Sequence, residues 1–307
     1  MFRWFQQFHK DQALPADAGQ LSKDLLASLM VMAWFVEAKD PYTGGHLWRV
    51  SRYANLVARA GGLPDADIAR VTLGGFLHDL GKVAIPDAIL NKAGKLDDNE
   101  FTLIQTHPAA GGRMLAGHPL GHLVAAAVEL HHERPDGRGY PYGLTASMIP
   151  TDAAIIGVCD AFDAMTSLRA YRKPMPLDKV LNILRAESGR QFSQFWCNHL
   201  LALAEEGVLD AIMGHSDNGI PLHTCPHCGP TVLQQSDDKP GDLLACSVCH
   251  SEMRLCEEDH QLRVKPTGKK APVAAWQPKA DNLLIKRMIE ESITHIPLEQ
   301  LIRFARG

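Results

Sequence analysis

His78 and Asp79 are two ligand-type side chains that stand together at the end of an apolar run, residues 71–80. A buried carboxylate is costly unless a cation or hydrogen-bond donors satisfy it. The pair is therefore either a hydrogen-bonded feature of the core or part of a metal site. Adjacent helical residues point about 100° apart, so both side chains can reach one site only near a helix end, where Gly81 lets the backbone bend.

Other histidines and aspartates occupy the same kind of position, at a helix terminus or on an apolar helix face, where an unsatisfied polar group is costly. Together with the first pair, the candidate ligands are His46, His78, Asp79, His107, His131, His132 and Asp160. These seven residues are more than one tetrahedral site uses, and they suit two octahedral ions bridged by the two oxygens of Asp79. Core hydrogen bonding or helix capping is the alternative for any single member.

The mixture of ligand types also indicates the metal and the chemistry. Imidazole together with carboxylate favours iron, manganese or a similar ion over a purely structural zinc. Two such ions a few ångströms apart produce a hydroxide nucleophile and hold a phosphoryl group for in-line displacement. The sequence therefore predicts metal-dependent phosphoryl chemistry at these residues.

A second set of ligand types lies near the C-terminus, where four of the seven cysteines form two CxxC pairs. The pairs are Cys225 with Cys228 and Cys246 with Cys249. Their spacing predicts a closed, tetrahedral zinc-ribbon-like module whose metal supplies folding energy. Reduced surface cysteines are the alternative, and the residues that could replace a cysteine as ligand are His223, His227, His250 and Cys256.

The helices that would position the seven candidate metal ligands are predicted from the spacing of apolar residues. Apolar residues recur at three- and four-residue steps over about 21–39, from residue 46 to the Gly61-Gly62 pair, and over 65–80. In the second of these helices, His46 lies on the buried face and Arg49 points away from it. Further helical segments begin near residues 100, 119, 151, 178 and 195, and we find no convincing strand before residue 220. The first two thirds of the chain are therefore predicted to be all-α.

Candidate N-cap residues predict where two of these helices begin. Asp97 or Asp98 is expected to cap the helix that ends at His107-Pro108, and Thr151 or Asp152 the helix that carries Asp160. The predicted segments are an N-terminal arm (1–19), a helical domain (20–214), the zinc-ribbon-like module (215–264), a linker (265–281) and two short amphipathic helices (282–307). We expect no input domain ahead of residue 20, so regulation is expected to enter through the module, the terminal helices or a separate protein.

Composition excludes several classes of protein. The net charge of −4 gives no general attraction to nucleic acid or to an anionic membrane, and residues 222–262 are not basic. The longest apolar run, residues 25–36, is too short to span a bilayer, and the N-terminus lacks the features of a signal peptide. The sequence therefore predicts a cytoplasmic protein, with partner docking or a structural role for the cysteine module and homodimerisation through the last helix left open.

Five motifs together resemble the HD-GYP family, a branch of the HD metal-dependent phosphohydrolases. In this chain they read DPYTGGHLWRV, HDLGKVAIPDAILNKAGKLD, THP, HHERPDGRGYP and the run from CDAFDAMTS to LRAYRKPM, within residues 22–212. Their order and spacing agree with the family. The resemblance implies an α-helical bundle that hydrolyses the bacterial second messenger cyclic di-GMP to the linear dinucleotide pGpG, to GMP, or to both.

The resemblance also implies a role for each matching residue. His46, His78, Asp79 and Asp160 would form the core metal set, with Asp79 bridging, and His107, His131 and His132 would complete the second ion. Asp79 and Lys82 would be the catalytic residues. Lys82 would contact a substrate phosphate, Tyr140 would shape the pocket and contact the ligand, and Arg169 and Arg172 would clamp phosphate or guanine.

Two departures from the family qualify this picture. Tyr42 stands where some members carry a glutamate ligand for a third metal, so we expect two ions and not three. Phe192-Ser193-Gln194 stands where Phe-Asp-Pro is more usual, and we expect this difference to be structural only. The alternatives to cyclic di-GMP hydrolysis are a receptor that binds cyclic di-GMP without turnover, or an HD phosphohydrolase acting on another cyclic dinucleotide or a nucleotide.

Overall fold

Apolar residues at helical spacing form a helical body through most of the first 205 residues of the chain. The protein was studied as a computed structural model, which describes residues 18–92, 94–169 and 172–296. The helices are α1 (Ala18–Glu37), α2 (His46–Ala60), α3 (Asp65–Leu77), α4 (Asp87–Leu90), α5 (Asp98–Ile104), α6 (His107–Ala116), α7 (Gly121–Leu130), α8 (Thr151–Thr166), α9 (Leu177–Glu187), α10 (Gln194–Glu205), α11 (Val273–Trp276) and α12 (Asn282–Ile293), with a 3₁₀ helix at Leu80–Ala84. The predicted all-α character of this part is confirmed.

One continuous apolar core joins most of these helices, whereas α4, α5 and α11 contribute no buried residue to it. Its centre is built by α2, α3 and α8, which pack against one another and carry fully buried side chains such as Tyr53, Phe76 and Phe162. Helix α12 belongs to the same core, because its Leu284 and Met288 pack with α1 and α3. The chain therefore leaves the helical body after α10 and returns to it at α12.

Between α10 and α12 the chain forms a small antiparallel β unit, which we call the cysteine module (residues 215–270). Its strands are β1 (His215–Asp217), β2 (Ile220–Pro221), β3 (His223–Cys225), β4 (Gly229–Val232), β5 (Leu243–Ala245), β6 (Ser251–Glu258) and β7 (Gln261–Lys270). They pair as β1–β2, β3–β4 and β5–β6–β7. Two of the four CxxC cysteines, Cys225 and Cys246, lie in the module's own core with Val232 and Met253.

Several element boundaries differ from the sequence-based expectation. The helix expected to end at His107-Pro108 ends at Ile104, and His107-Pro108 begins α6, since proline is tolerated in the first helical turn. Neither Thr151 nor Asp152 caps α8, because Pro150 occupies the cap position and no side chain caps the helix. Residues 265–270, predicted as linker, belong to β7, whose hydrogen bonds come from its partner β6. Asp97 does cap α5, in a reciprocal capping box with Glu100.

Parts of the sequence-based description fall outside the described residues. These parts are the arm before residue 18 and the second amphipathic helix after residue 296. Within the described ranges, none of the helices combines the length and apolarity needed to cross a membrane.

Candidate metal centre

Helix ends converge on one point of the helical body and bring the seven predicted ligands together. His46 and His107 are the first residues of α2 and α6. His78 directly follows α3, and Asp79 leads into the 3₁₀ helix. The remaining members are His131 and His132, directly after α7, and Asp160, in the middle of α8. Helix termini leave backbone groups unpaired and allow sharp changes of direction, so adjacent residues can share one site there.

The histidines form two groups, and Asp79 lies between them. Oδ2 of Asp79 lies 3.4 Å from Nε2 of His78 and 3.5 Å from Nε2 of His46. Oδ1 of the same carboxylate lies 3.5 Å from Nε2 of His107. The donor atoms of His46, His78 and Asp79 all lie within 4.8 Å of one another, as do those of His107, His131 and His132. One carboxylate oxygen thus faces each group.

Asp160 joins the first group from α8. Its Oδ1 lies 3.5 Å from Nε2 of His46 and 3.9 Å from Nε2 of His78. Nε2 of His46 and Nε2 of His78 are buried and lack a hydrogen-bond partner among the described residues. Buried polar atoms are rarely left unpaired, so these nitrogens and the two carboxylates suit a cation between them.

The other ring nitrogen of most of these histidines is held by an acceptor. Nδ1 of His78 donates to the Gly75 carbonyl at 2.8 Å, and Nδ1 of His107 to the Ile104 carbonyl at 2.8 Å. Nδ1 of His131 donates to the Ala127 carbonyl at 3.0 Å. These bonds fix the tautomer that leaves the Nε2 lone pair free, as metal-binding histidines require.

His46 is held by a carboxylate instead of a carbonyl. Its Nδ1 donates to Oδ2 of Asp163 at 2.7 Å, and Asp163 in turn accepts from Nε of Arg49 at 2.6 Å. Burial opposes protonation of His46, but the neighbouring carboxylates of Asp163 and Asp79 outweigh it and raise its pKa to about 9, so a cation at Nε2 would replace a proton there. The expectation that Arg49 points away from the buried face is wrong, since Arg49 is only 1% exposed.

The second histidine group is kept neutral by its surroundings. Burial lowers the pKa of His107 to about 4 and the pKa of His132 to about 3. Burial also lowers the pKa of His131. All three imidazoles are therefore uncharged at neutral pH, which is the form that can bind a cation.

Lys82 and Tyr140 border the two groups. Nζ of Lys82 donates to Oδ2 of Asp79 at 2.6 Å. Burial lowers the pKa of Lys82, but the negative charges of Asp79 and Asp160 outweigh it and raise the pKa. The ring of Tyr140 stacks on His132, with ring centroids 4.7 Å apart. An ammonium group and an aromatic face thus lie against the predicted ligands.

The two predicted arginines differ in their surroundings. Arg169 and Arg172 follow α8 and exchange backbone hydrogen bonds of 2.9 and 3.2 Å. Nη2 of Arg172 donates to the Ala164 carbonyl of α8 at 2.5 Å. The positive charge of Arg169, in contrast, acts to lower the pKa of both His46 and Lys82. The charge of Arg169 thus acts on the centre, whereas Nε of Arg172 is buried without a hydrogen-bond partner among the described residues.

A cavity of about 790 Å³ opens beside the centre, within the usual range for small-molecule sites. His132, Tyr140 and Asp160 lie in its wall. Phe192, Ser193 and Gln194 also line it, so the segment expected to be structural only is placed to contact a ligand. Additional wall residues include Phe101, Arg134, Arg138 and Trp196.

Several supporting residues had no firm role in the sequence. The carboxylate of Glu133 accepts from the backbone N–H of Tyr142 and of Leu144, each at 2.7 Å, and so holds the loop that carries Tyr140. Lys39 was not singled out, and its Nζ donates to the Ile85 carbonyl at 2.9 Å, after the 3₁₀ helix. Asp163 lies three residues after Asp160, so the two carboxylates lie on the same side of α8. This spacing is the feature of the sequence that could have indicated a role for Asp163 at His46.

The four CxxC cysteines form a second candidate centre in the module, with sulfur atoms within 4.8 Å of one another. Sγ of Cys225 and Sγ of Cys249 are 3.7 Å apart, and a tetrahedral zinc with Zn–S bonds of about 2.3 Å holds its sulfurs about 3.8 Å apart. Burial raises the pKa of Cys225 and of Cys228, whereas hydrogen bonds from Ser251 lower the pKa of Cys249 to about 6.

Two of the alternative zinc ligands are engaged elsewhere. Nε2 of His223 bonds the side chain of Gln234 at 2.8 Å, and the ring of His250 stacks on Trp276. His227 and Cys256 are likewise absent from the cluster that the described residues form around the four sulfurs.

Comparisons with known proteins agree with this architecture. The HD domain family matches residues 30–194, more than half of the 307-residue chain. The chain is 38% identical over 184 residues to "Cyclic di-GMP phosphodiesterase response regulator RpfG" of Xanthomonas campestris, covering 59% of this chain and 49% of that protein.

Two further relatives are similar to part of this chain. "3'3'-cGAMP-specific phosphodiesterase 3" of Vibrio cholerae is 39% identical over 172 residues, which cover 55% of this chain and 37% of that protein. "Cyclic di-GMP phosphodiesterase PA4108" of Pseudomonas aeruginosa is 45% identical over 139 residues, which cover 45% of this chain and 34% of that protein. The chain thus spans half or less of the length of these curated relatives. The resemblance to HD-GYP proteins is confirmed, and the chain belongs to the HD domain family.

Proposed function

We propose that this chain is a metal-dependent phosphodiesterase that hydrolyses cyclic di-GMP to linear pGpG, to GMP, or to both. The observation that carries the proposal is the position of Asp79, whose two carboxylate oxygens face two separate groups of histidines. The relatives support the substrate class, since their names specify cyclic di-GMP or 3'3'-cGAMP.

The residues fit two divalent ions, with iron or manganese preferred for mixed imidazole and carboxylate donors. His46, His78, Asp79 and Asp160 would hold the first ion, and Asp79, His107, His131 and His132 the second. When bound, such ions supply positive charge for phosphoryl oxygens and lower the pKa of water.

The protein's own groups orient the site and the substrate. Asp163 fixes the ring of His46, and main-chain carbonyls fix the rings of His78 and His107. The ammonium group of Lys82 is placed to bind a substrate phosphate beside Asp79. Charge-assisted contacts of this kind are among the stronger hydrogen bonds in proteins.

The cavity supplies the remaining substrate contacts. Tyr140 offers an aromatic face beside His132, and bases stack favourably on such faces. Arg169 would add a phosphate or guanine contact from the segment after α8. Arg172 was predicted to do the same, and its bond to Ala164 makes this the weaker of the two assignments.

We also propose that Cys225, Cys228, Cys246 and Cys249 hold a structural zinc ion. The closeness of the four sulfurs, with two of them 3.7 Å apart, supports this assignment. A protein partner at the cysteine module and homodimerisation remain predictions. The mass of the full chain in solution, measured alone, tests the second of these.

The test is turnover by full-length protein purified without oxygen and supplied with iron or manganese. Cyclic di-GMP should be converted to pGpG or GMP, and Asp79→Asn should abolish conversion while retaining the fold. A parallel assay with 3'3'-cGAMP decides between the two substrates that the relatives' names specify. Tight binding of cyclic di-GMP without hydrolysis by the metal-loaded protein would contradict the proposal and leave the receptor alternative.

A further inference from the structure

The loop that precedes His46, which we call the first-motif loop (residues 40–45), lies against the cysteine module. Oγ of Ser247 lies 2.5 Å from the Pro41 carbonyl oxygen and 2.9 Å from the Thr231 carbonyl oxygen, and its single proton is shared between these two acceptors. Ser247 stands between the ligand cysteines Cys246 and Cys249. The segment that would bind zinc therefore bonds directly to the backbone of the loop that delivers His46.

Two glycines let the loop approach the module closely. A Cβ on Gly44 would lie 2.7 Å from Cδ1 of Leu233, which follows β4. A Cβ on Gly45 would lie 2.6 Å from the backbone Cα of Ser216 in β1, and Gly45 has a φ of +74°. Glycine tolerates this left-handed conformation at no steric cost. The last residue before His46 is thus packed between the module and α2.

Arg49 extends the connection to the imidazole itself. Its Nη1 donates to the carbonyls of Gly44 and His215, each at 2.9 Å. Its Nε and Nη2 bond the carboxylate of Asp163, which accepts from Nδ1 of His46. The guanidinium therefore ties β1 of the module to the carboxylate that orients His46.

The module also lies near the segment after α8 that carries Arg169. A Cβ on Gly229 would lie 3.4 Å from Cδ2 of Leu168, the neighbour of Arg169. The cysteine cluster thus lies close to both segments that present predicted site residues from this side.

We propose that the cysteine module is a positioning element for the metal centre, which holds His46 in place through the first-motif loop and Arg49. Ion binding at the centre then depends on an intact cysteine cluster. The proposal rests on the proposed metal-dependent function. It gives the module a role in the reaction other than partner docking, and it makes Ser247 and Arg49 positioning residues.

The test compares full-length Ser247→Ala with Ser247→Thr, which keeps the hydroxyl. Thr267→Ala is the matched control, because Thr267 donates its hydroxyl to Glu252 within the same module. For each protein, Mn²⁺ affinity is measured by titration, hydrogen exchange is measured over residues 40–49, and zinc content and melting temperature are recorded.

Ser247→Ala should bind Mn²⁺ about 10-fold more weakly, as is typical when support behind a ligand is lost, and should exchange faster in the first-motif loop. Its zinc content should match the wild type. Ser247→Thr should restore both properties, and Thr267→Ala should change neither. Cys228→Ala, which removes a ligand of the cluster, should have the larger effect in the same direction.

Wild-type Mn²⁺ affinity and loop exchange in both Ser247→Ala and Cys228→Ala would overturn the proposal. Failure of the wild type to bind Mn²⁺ would instead contradict the proposed function. The exchange measurement would still decide whether the module holds the loop, since it does not depend on bound metal.

Discussion

Asp79 presents its Oδ1 to Nε2 of His107 at 3.5 Å and keeps its Oδ2 for the other histidine pair. His107 begins α6, whereas Asp79 follows α3, so this contact joins two helix ends across the centre. A carboxylate with one oxygen on each side is suited to bridge two cations. The account of the site depends on this relationship.

Asp163 is expected to support metal binding without touching the metal. Asp163→Asn weakens the acceptor for Nδ1 of His46 and should lower metal affinity about 10- to 100-fold. It also leaves Arg49 as a buried charge without its partner, which typically costs about 3–5 kcal/mol. Titration with Mn²⁺ and denaturant unfolding measure the two effects.

A matched control for this change lies on the same helix. Asp152 is also buried and pairs with an arginine, Arg70, at 2.8 Å, but at the opposite end of α8. Asp152→Asn should leave metal affinity unchanged and cost less stability, since Arg70 is partly exposed. Equal metal affinities for the two variants would refute the role assigned to Asp163.

Lys82 is expected to act on substrate and not on metal content. Lys82→Ala should lower kcat/KM for cyclic di-GMP about 10- to 100-fold, the usual effect of losing a hydrogen bond to a charged group. Lys92→Ala is the control, because Lys92 pairs with Glu100 away from the ligands. Unchanged kcat/KM in Lys82→Ala, or loss of bound metal from it, would contradict the assignment.

Substitutions of Arg169 and of Arg172 by alanine should have different effects. Arg169→Ala should raise KM or lower kcat with little change in melting temperature, because its charge acts on the site. Arg172→Ala should mainly lower the melting temperature, because it removes the bond to the end of α8. Steady-state kinetics and thermal unfolding of both proteins test this, and the reverse pattern would show that Arg172 is the ligand contact.

Zinc in the cysteine module should be lost on acidification. Burial raises the pKa of Cys225 and Cys228, which must lose their protons to zinc already at neutral pH. The pKa of Cys249 is instead lowered to about 6, so this thiol begins to take up protons below pH 7. Below that pKa, protons compete with zinc for the sulfur, so affinity should fall as pH falls, by up to about 10-fold per pH unit for each protonated thiolate. A chromophoric chelator should report zinc release between pH 7 and pH 5, and retention independent of pH would contradict a thiolate site.

The candidate ligands of the centre could be identified from the sequence, but the contacts of the residues that orient them could not. His78, His107 and His131 were identified because ligand-type side chains at helix ends are unusual, and the structure places them together. Arg49 was misplaced because helical periodicity assigns faces within one helix, whereas its partner Asp163 is 114 residues away. Such a pairing is determined by tertiary packing alone.

The cysteine module illustrates the same limit. Its CxxC spacing predicted the cluster, because the pattern is local to two short turns. Its packing against the first-motif loop involves Ser247 and Pro41, which are 206 residues apart. Neither residue type signals such a contact. Residues 265–270 were predicted to be a linker because of their composition. They form a strand instead because their backbone pairs with β6.

Metal analysis tests the central claim most directly, because it counts the ions that Asp79 is proposed to bridge. Protein purified without oxygen should contain two iron or manganese ions and one zinc per chain. Asp79→Asn should keep the zinc and lose both other ions, whereas His107→Ala should lose mainly one. An Asp79→Asn protein that is folded and retains both iron or manganese ions would contradict the bridging role.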